Sequence, residues 1–320
     1  MSIEKTITSK YKWIIWVKVI VLILSCWLIY QKITDPEQFG EEFLNVITSA
    51  IDSSAVLILL AVILLMPFNW LLEALKWKLL ARPHSAISTR EAFQGVMSGL
   101  SLGFITPHGV GDYAGRLLSL SGESRSKLIG SVWLGRAMQM MVTGLFGMVG
   151  VWMFMKMSSF GNLSINSWWW IILFVIILFV VVLYRSKIKI FGESIKYYFS
   201  MIGAYRSQDY LQLFVLSLVR YLVFSIQFLL ILNVFEIPLG VFTLFAGMSW
   251  MFLMKSIIPS FNFLSDLGVR ELSVLTFFDL YNVSQPAVLT SSLLLWLINI
   301  LLPVLVGLYF VFKLKINSQR

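Results

Sequence analysis

Apolar runs long enough to cross a lipid bilayer recur along this chain from one end to the other. A hydrocarbon core of ~30 Å calls for roughly 17–25 apolar residues in a helix. Six runs meet that need: residues 13–30, 53–80, 128–155, 167–184, 210–233 and 286–312. In lipid, every backbone polar group must be satisfied internally, so these runs are read as helices. Of the 320 residues, 58% are hydrophobic and 13% charged, which leaves no stretch polar and long enough for a separate soluble catalytic domain. We expect one all-α polytopic membrane domain over residues 1–320, with about six full spans.

Four shorter apolar pieces remain, at 91–106, 112–120, 239–257 and 262–278. They form two pairs, each joined near a proline, Pro107 in the first and Pro259 in the second. Basic loops set orientation, because lysine and arginine collect on the cytoplasmic side. The N-terminal tail, the loop around Arg82 and Arg90, residues 185–209 and the tail with Lys313, Lys315 and Arg320 are therefore placed inside. Residues 31–52, 156–166 and 279–285 carry few bases and are placed outside. These placements agree only if each short pair enters and leaves by one side, as a re-entrant hairpin. The chain then divides into half-repeats, approximately 10–156 and 165–315, of opposite orientation, an arrangement many transporters use. The alternative is a set of ordinary tilted helices with proline kinks. The basic N-terminus followed by the run from Trp13 is expected to be an uncleaved first span in the cytoplasmic (inner) membrane.

The net charge of +9 follows from these basic loops and does not call for nucleic acid. One cysteine, Cys26, excludes an internal disulfide, and two histidines, His84 and His108, are too few for a histidine-built metal centre. No P-loop, nucleophile elbow or zincin motif is present, so no cofactor and no metal are expected.

Charge inside the apolar pieces is costly and marks candidate sites. In the first pair, Pro107, Gly109 and Gly111 interrupt the helix, and Asp112 and Arg116 follow four residues apart, a spacing that lets them pair. The pair fits a structural closure of the break or a binding site equally well. His108 is read as a loop histidine, with a proton relay beside Asp112 as the other reading. In the second pair, Lys255 precedes Pro259, then come Asp266, Gly268, Arg270 and Glu271. Pro259 and Gly268 are read as the break of this hairpin, and the recurrence of Pro, Asp, Gly and Arg in one order points to both loops building one site. Arg136 and Arg220 lie deep in their spans, about 12 and 15 Å from the span ends at helical rise, and are expected to face the interior. Glu73 stands one turn from Lys76 and is expected to pair with it. An interior holding Arg116, Arg136, Arg220, Lys255 and Arg270 against Asp112, Asp266 and Glu271 has excess positive charge. A phosphate-bearing ligand would balance it, and the guanidinium fork suits phosphate.

At these loops the chain resembles the flippase-like transmembrane domain of the lysylphosphatidylglycerol synthase family, over about residues 10–312. The resemblance rests on Gly103–Pro107 with Gly111–Arg116, and on Ser256–Pro259 with Asp266–Glu271. Asp112 stands where the family usually has glutamate, and Phe261-Asn262-Phe263 is bulkier than the family's small residues. The resemblance implies movement of phospholipids or other polar-headed lipids between leaflets. It also implies no synthase activity here, since the aminoacyl-transferase domain of the full synthases is not expected in a chain ending at Arg320. Two other functions fit the residues: a membrane-embedded transferase acting on lipid-linked substrates, and a non-transporting assembly factor.

Overall fold

The computed structural model describes residues 41, 44, 45, 48, 53–106, 109–118, 128–158, 203, 205–258 and 263–318. The apolar runs 13–30 and 167–184, together with Pro107, His108 and Pro259, fall outside these residues. Among the described residues the secondary structure is entirely helical.

The first helix, α1 (Ser53–Ala81), covers the run expected at 53–80. A short helical hairpin follows, α2 (Thr89–Ile105) and α3 (Val110–Leu118), then the long α4 (Leu128–Met157). The second set repeats that order with α5 (Ser207–Val234), the hairpin α6 (Val241–Ile257) and α7 (Phe263–Phe278), and α8 (Gln285–Trp296) running on into α9 (Leu302–Ser318). Among the described residues, four helices are long and apolar enough to cross a membrane: Ala55–Ala81, Gly130–Met157, Ser207–Val234 and the α8–α9 rod over Gln285–Phe312. Leu57, Leu60, Leu64, Phe68 and Leu71 form an exposed apolar stripe along α1, and Leu302, Leu305, Val306, Tyr309 and Phe312 form another along α9. Apolar surface on this scale suits lipid and not water.

Local chemistry explains the helix ends. Ser88 accepts from the Glu91 amide at 3.2 Å while Glu91 accepts from the Ser88 amide at 2.7 Å, a reciprocal cap that starts α2. That amide stabilises the Glu91 carboxylate and lowers its pKa. Ser284 caps α8, with Pro286 in its first turn, where a missing N–H costs nothing.

Two helix interiors contain proline, which removes an intrahelical donor. Pro303 leaves the Asn299 carbonyl without its usual partner, and the helix widens to a π turn over Leu297–Leu301. Trp70 Nε1 from α1 donates to that carbonyl at 3.1 Å. Pro67 lies inside α1, which runs on through it, and one residue before the carbonyl it deprives, Val62 O accepts from Gln227 Nε2 of α5 at 2.8 Å. Each proline defect is thus tied to the other set of helices.

The hairpins are antiparallel. A Cβ on Gly115 would stand 2.2 Å from the Gly99 amide nitrogen, and one on Gly111 would stand 2.2 Å from the Leu102 carbonyl, so α2 and α3 meet backbone to backbone. At the tip, Thr106 Oγ1 donates to Leu102 O at 2.7 Å and accepts from Gly111 N at 2.8 Å, while Gly109 takes a left-handed φ of 62°. The second hairpin is held by bulk: Gly247 faces Phe277 and Phe278, and Trp250 Nε1 donates to Ser273 O at 3.1 Å.

Between the two sets, α1 packs on α5, α6 packs on α4, and α2 packs on α9. Gly150 admits the α6 backbone at Ala246 and Trp250, and Gly307 admits the α2 backbone at Met97, where Ser101 Oγ also donates to Val304 O at 2.6 Å. Each hairpin therefore rests on the last long helix of the other set. Two apolar cores result, one around α1, α2 and the start of α4, the other around α5–α8.

Candidate charged site between α1, α3, α4 and α5

Glu73 lies in the last third of α1, 6% exposed, and the fold wraps three cations around it. Lys76 Nζ is 2.8 Å from Oε2, Arg116 Nη2 of α3 is 2.9 Å from Oε1, and Arg220 Nη1 of α5 is 3.3 Å from Oε2. Arg116 Nε also donates to Asp112 Oδ1 at 2.8 Å, one helical turn away. Asp112 Oδ2 in turn accepts from Arg136 Nη2 of α4 at 2.7 Å. Six charged side chains from four helices form one chain of contacts. Arg116 has glycine to thank for its position: Gly99 and Gly103 of α2 let Asp112 and Arg116 lie directly against that helix.

Aromatic faces line the network. Arg116 lies 5.7 Å from the Trp77 ring centre, Arg220 5.2 Å from Trp70, and Arg136 4.6 Å from Tyr113. Guanidinium groups in a dry setting gain from such contacts. Gln139 bridges α4 to the network, accepting from Lys76 at 3.5 Å and donating to Ser217 O at 3.3 Å. Burial is graded. Arg116 and Glu73 side chains are each 9% exposed, Arg220 16%, and Arg136 45%, so the network leads from the interior to an accessible edge beside the hairpin tip.

Among the described residues, four cations face two carboxylates here. Burying charge without full pairing is expensive, so a surplus is retained only against some offsetting interaction. Two donors in this region, Trp77 Nε1 and Arg220 Nε, are buried without a hydrogen-bond acceptor among the described residues.

The second hairpin behaves differently. Arg270 Nη2 and Nε both engage Glu271 Oε1, the latter at 3.0 Å, and Ser292 Oγ of α8 donates to the same oxygen at 3.1 Å. Both residues are buried. The contacts seen for Arg270 and Glu271 are with each other and with Ser292, and those seen for Glu73 are with Lys76, Arg116 and Arg220.

The expected Asp112–Arg116 and Glu73–Lys76 pairs form as spaced. Arg220 faces inward as expected, whereas Arg136 sits half-exposed at the edge. Lys255 occupies the last turn of α6, partly exposed. Asp266 lies on α7, with its side chain outside the described set; the pairing partner seen for Arg270 is Glu271. Gly111 falls in the first turn of α3, one residue later than the helix start. Gly268 does not break a helix, because α7 runs through it. A single glycine costs about 1 kcal/mol in a helix interior, too little to stop a helix packed on both sides. Sequence reasoning missed Glu73 as the hub, along with Trp70, Trp77 and Gln139. The available signal was an acid and a base together inside an apolar span.

No curated protein sequence matches the chain. The family described as "Lysylphosphatidylglycerol synthase TM region" matches residues 15–307. With a match of that extent over an all-helical, multi-pass fold, the chain belongs to the lysylphosphatidylglycerol synthase transmembrane-region family, a family of membrane-embedded domains.

Proposed function

We propose that the chain is a flippase-like transporter that carries a phosphate-bearing lipid head group between leaflets while the acyl chains stay in the bilayer. The observation that carries this reading is the surplus of buried positive charge around Glu73 and Asp112. Arg136 is the point of entry, since it is half-exposed and held by a single carboxylate. A phosphate competing with Asp112 for Arg136 would then reach Arg116 and Arg220 along the same chain of contacts. Trp70, Trp77 and Tyr113 keep the guanidinium planes fixed without using up their donors.

Alternating access follows from the reciprocal packing. Exchange of the two helix sets maps the α2–α9 contact onto the α6–α4 contact and α1 onto α5. Because α1 and α5 run antiparallel, with Val62 near Gln227 and Leu80 near Tyr205, the relating axis lies across the helices. This supports half-repeats of opposite orientation with rocking of one half against the other. Re-entrant hairpins, and both termini cytoplasmic in the inner membrane, belong to the same proposal and rest on the basic loops. Arg270, Glu271, Lys255 and Asp266 belong to the second hairpin.

The test is reconstitution of the purified chain in liposomes with head-group-labelled phospholipids. Wild type is expected to speed transfer between leaflets, and Arg136→Gln, a change at a half-exposed position, to slow it about tenfold, the size of one lost charge-assisted contact. Equal rates for the two proteins, or no acceleration over protein-free vesicles, would remove the proposal.

A further inference from the structure

Building on that reading, we infer that Tyr205 and the Arg82–Asp209 pair form a gate, which closes the charged site at the end where the basic loops lie and parts when the two halves rock. The contacts follow one another along the seam where α1 and α5 pack. Glu73 meets Arg220 at 3.3 Å, and Lys76 meets Gln139, which donates to Ser217 O. Leu80 follows one turn after Lys76, about 6 Å along the helix. Its carbonyl belongs to the last turn of α1, where intrahelical donors run out, and the Tyr205 hydroxyl donates to it at 2.6 Å. That hydroxyl also lies 2.7 Å from Ser131 Oγ of α4, so one phenol, 7% exposed, joins α1, α4 and the start of α5. Beyond it, Arg82 Nη2 meets Asp209 Oδ1 at 2.6 Å. Asp209 Oδ2 accepts from the Arg206 amide at 2.9 Å, so its own helix fixes the carboxylate and one oxygen is turned to the other half.

These contacts are built to separate. Tyr205 and Asp209 belong to the second half, and Leu80, Arg82 and Ser131 to the first, so they cross the boundary on which alternating access turns. Arg82 is 59% exposed, and an ion pair so open to water is readily exchanged for hydration. A head group held at Glu73 and Arg220 has Tyr205, then Arg82, between it and this end of the seam. Towards the opposite end, Gln227 Nε2 donates to Val62 O at 2.8 Å, and Gln227 is wholly buried. Exchange of the halves would make the two ends equivalent. The sequence closes one with a half-wet ion pair and a phenol, and the other with a dry, neutral amide.

The experiment reads the opening itself. Nitroxide labels are attached at Ala86→Cys in the first half and Gln208→Cys in the second, both at exposed positions, in the full chain carrying Cys26→Ser. Distances between the labels are measured by pulsed electron paramagnetic resonance in phosphatidylcholine–phosphatidylglycerol vesicles. Two resolved distances are expected, the longer one in the minority. Arg82→Gln and Tyr205→Phe are each expected to raise the ratio of long to short roughly fivefold, the size of one such contact, without moving either distance. Arg82→Lys, which keeps the charge, is expected to stay near the wild-type ratio. A contact that only holds the fold would lower the melting temperature and leave the ratio where it was. One distance common to all four proteins, or two whose ratio none of the substitutions changes, overturns the gate. Transfer of head-group-labelled phospholipid by wild type is followed in the same vesicles. Transfer with an unchanged ratio removes the gate and leaves lipid transport standing. A shifted ratio with no transfer removes lipid transport and leaves an opening joint between the halves.

Discussion

The two helical hairpins carry the same sequence pattern and use it in different ways. Each has an acid and an arginine four residues apart, Asp112 with Arg116 and Asp266 with Arg270. In the first hairpin, glycines bring α2 and α3 into backbone contact, and Arg116 reaches out to Glu73 on α1 and through it to Arg220 on α5. In the second, phenylalanines separate the arms, and Arg270 turns to its own neighbour Glu271 and to Ser292. The first cluster is shared among four helices and is rich in positive charge. The second is local and balanced. A thin hairpin lets its charges be shared across the molecule, whereas a thick one makes them settle with the nearest partner.

Substitutions can break or sharpen that contrast, and the largest effect is expected in the balanced cluster. Arg270→Met takes the cation from the buried Glu271 carboxylate, so thermal unfolding in detergent is expected to show a loss of about 3–5 kcal/mol. Replacing both residues, Arg270→Met with Glu271→Leu, is expected to recover most of it, since an apolar pair of similar volume is often neutral. Lys76→Met in the first cluster leaves Glu73 with Arg116 and Arg220, and a smaller loss of roughly 1–2 kcal/mol is expected. Equal losses for Arg270→Met and Lys76→Met would erase the distinction.

Glycine substitution comes next. Gly115→Ala puts a methyl 2.2 Å from backbone and should cost about 3 kcal/mol or prevent folding. Gly247→Ala meets only ring atoms, at 2.7 Å, and should cost about 1–2 kcal/mol. Gly144→Ala meets nothing within 4 Å and is expected to be neutral or mildly stabilising, which makes it the control. The order of melting temperatures checks all three.

A smaller loss is expected outside the charged clusters. Tyr205 donates to Leu80 O at 2.6 Å and lies 2.7 Å from Ser131 Oγ. Burial pushes its phenol from 10.0 up to about 12. The neutral form is the one favoured by folding, so this stability is complete below pH 10 and is lost as pH rises towards 12. Tyr205→Phe is expected to cost about 1 kcal/mol at neutral pH and to flatten melting temperature against pH in that alkaline window.

Much of this was legible in the sequence because it is local. The apolar runs at 53–80, 128–155, 210–233 and 286–312, the four short pieces, and the pairs at three- and four-residue spacing all follow from helical periodicity. What escaped depends on the third dimension. Glu73 reads as a partner of Lys76 until α3 and α5 are placed against it, and Glu271 takes Arg270 only once α8 supplies Ser292. Gly268 looked like a break because glycine interrupts isolated helices, yet packing carries α7 through it. The π turn at Leu297–Leu301 is written in Pro303, but its relief by Trp70 comes from a residue more than two hundred positions away.

The most direct measurement is lipid transfer in reconstituted vesicles by two charge-removing variants compared side by side. One is Arg220→Gln, which removes a surplus cation while leaving Glu73 to Lys76 and Arg116. The other is the pair Arg270→Gln with Glu271→Gln, which discharges that cluster while keeping polar side chains in it. We expect the first to lose transfer and keep its melting temperature, and the second to keep transfer. Retained transfer in Arg220→Gln, with transfer lost in a folded Arg270→Gln/Glu271→Gln protein, would contradict the assignment of the head group to the first hairpin.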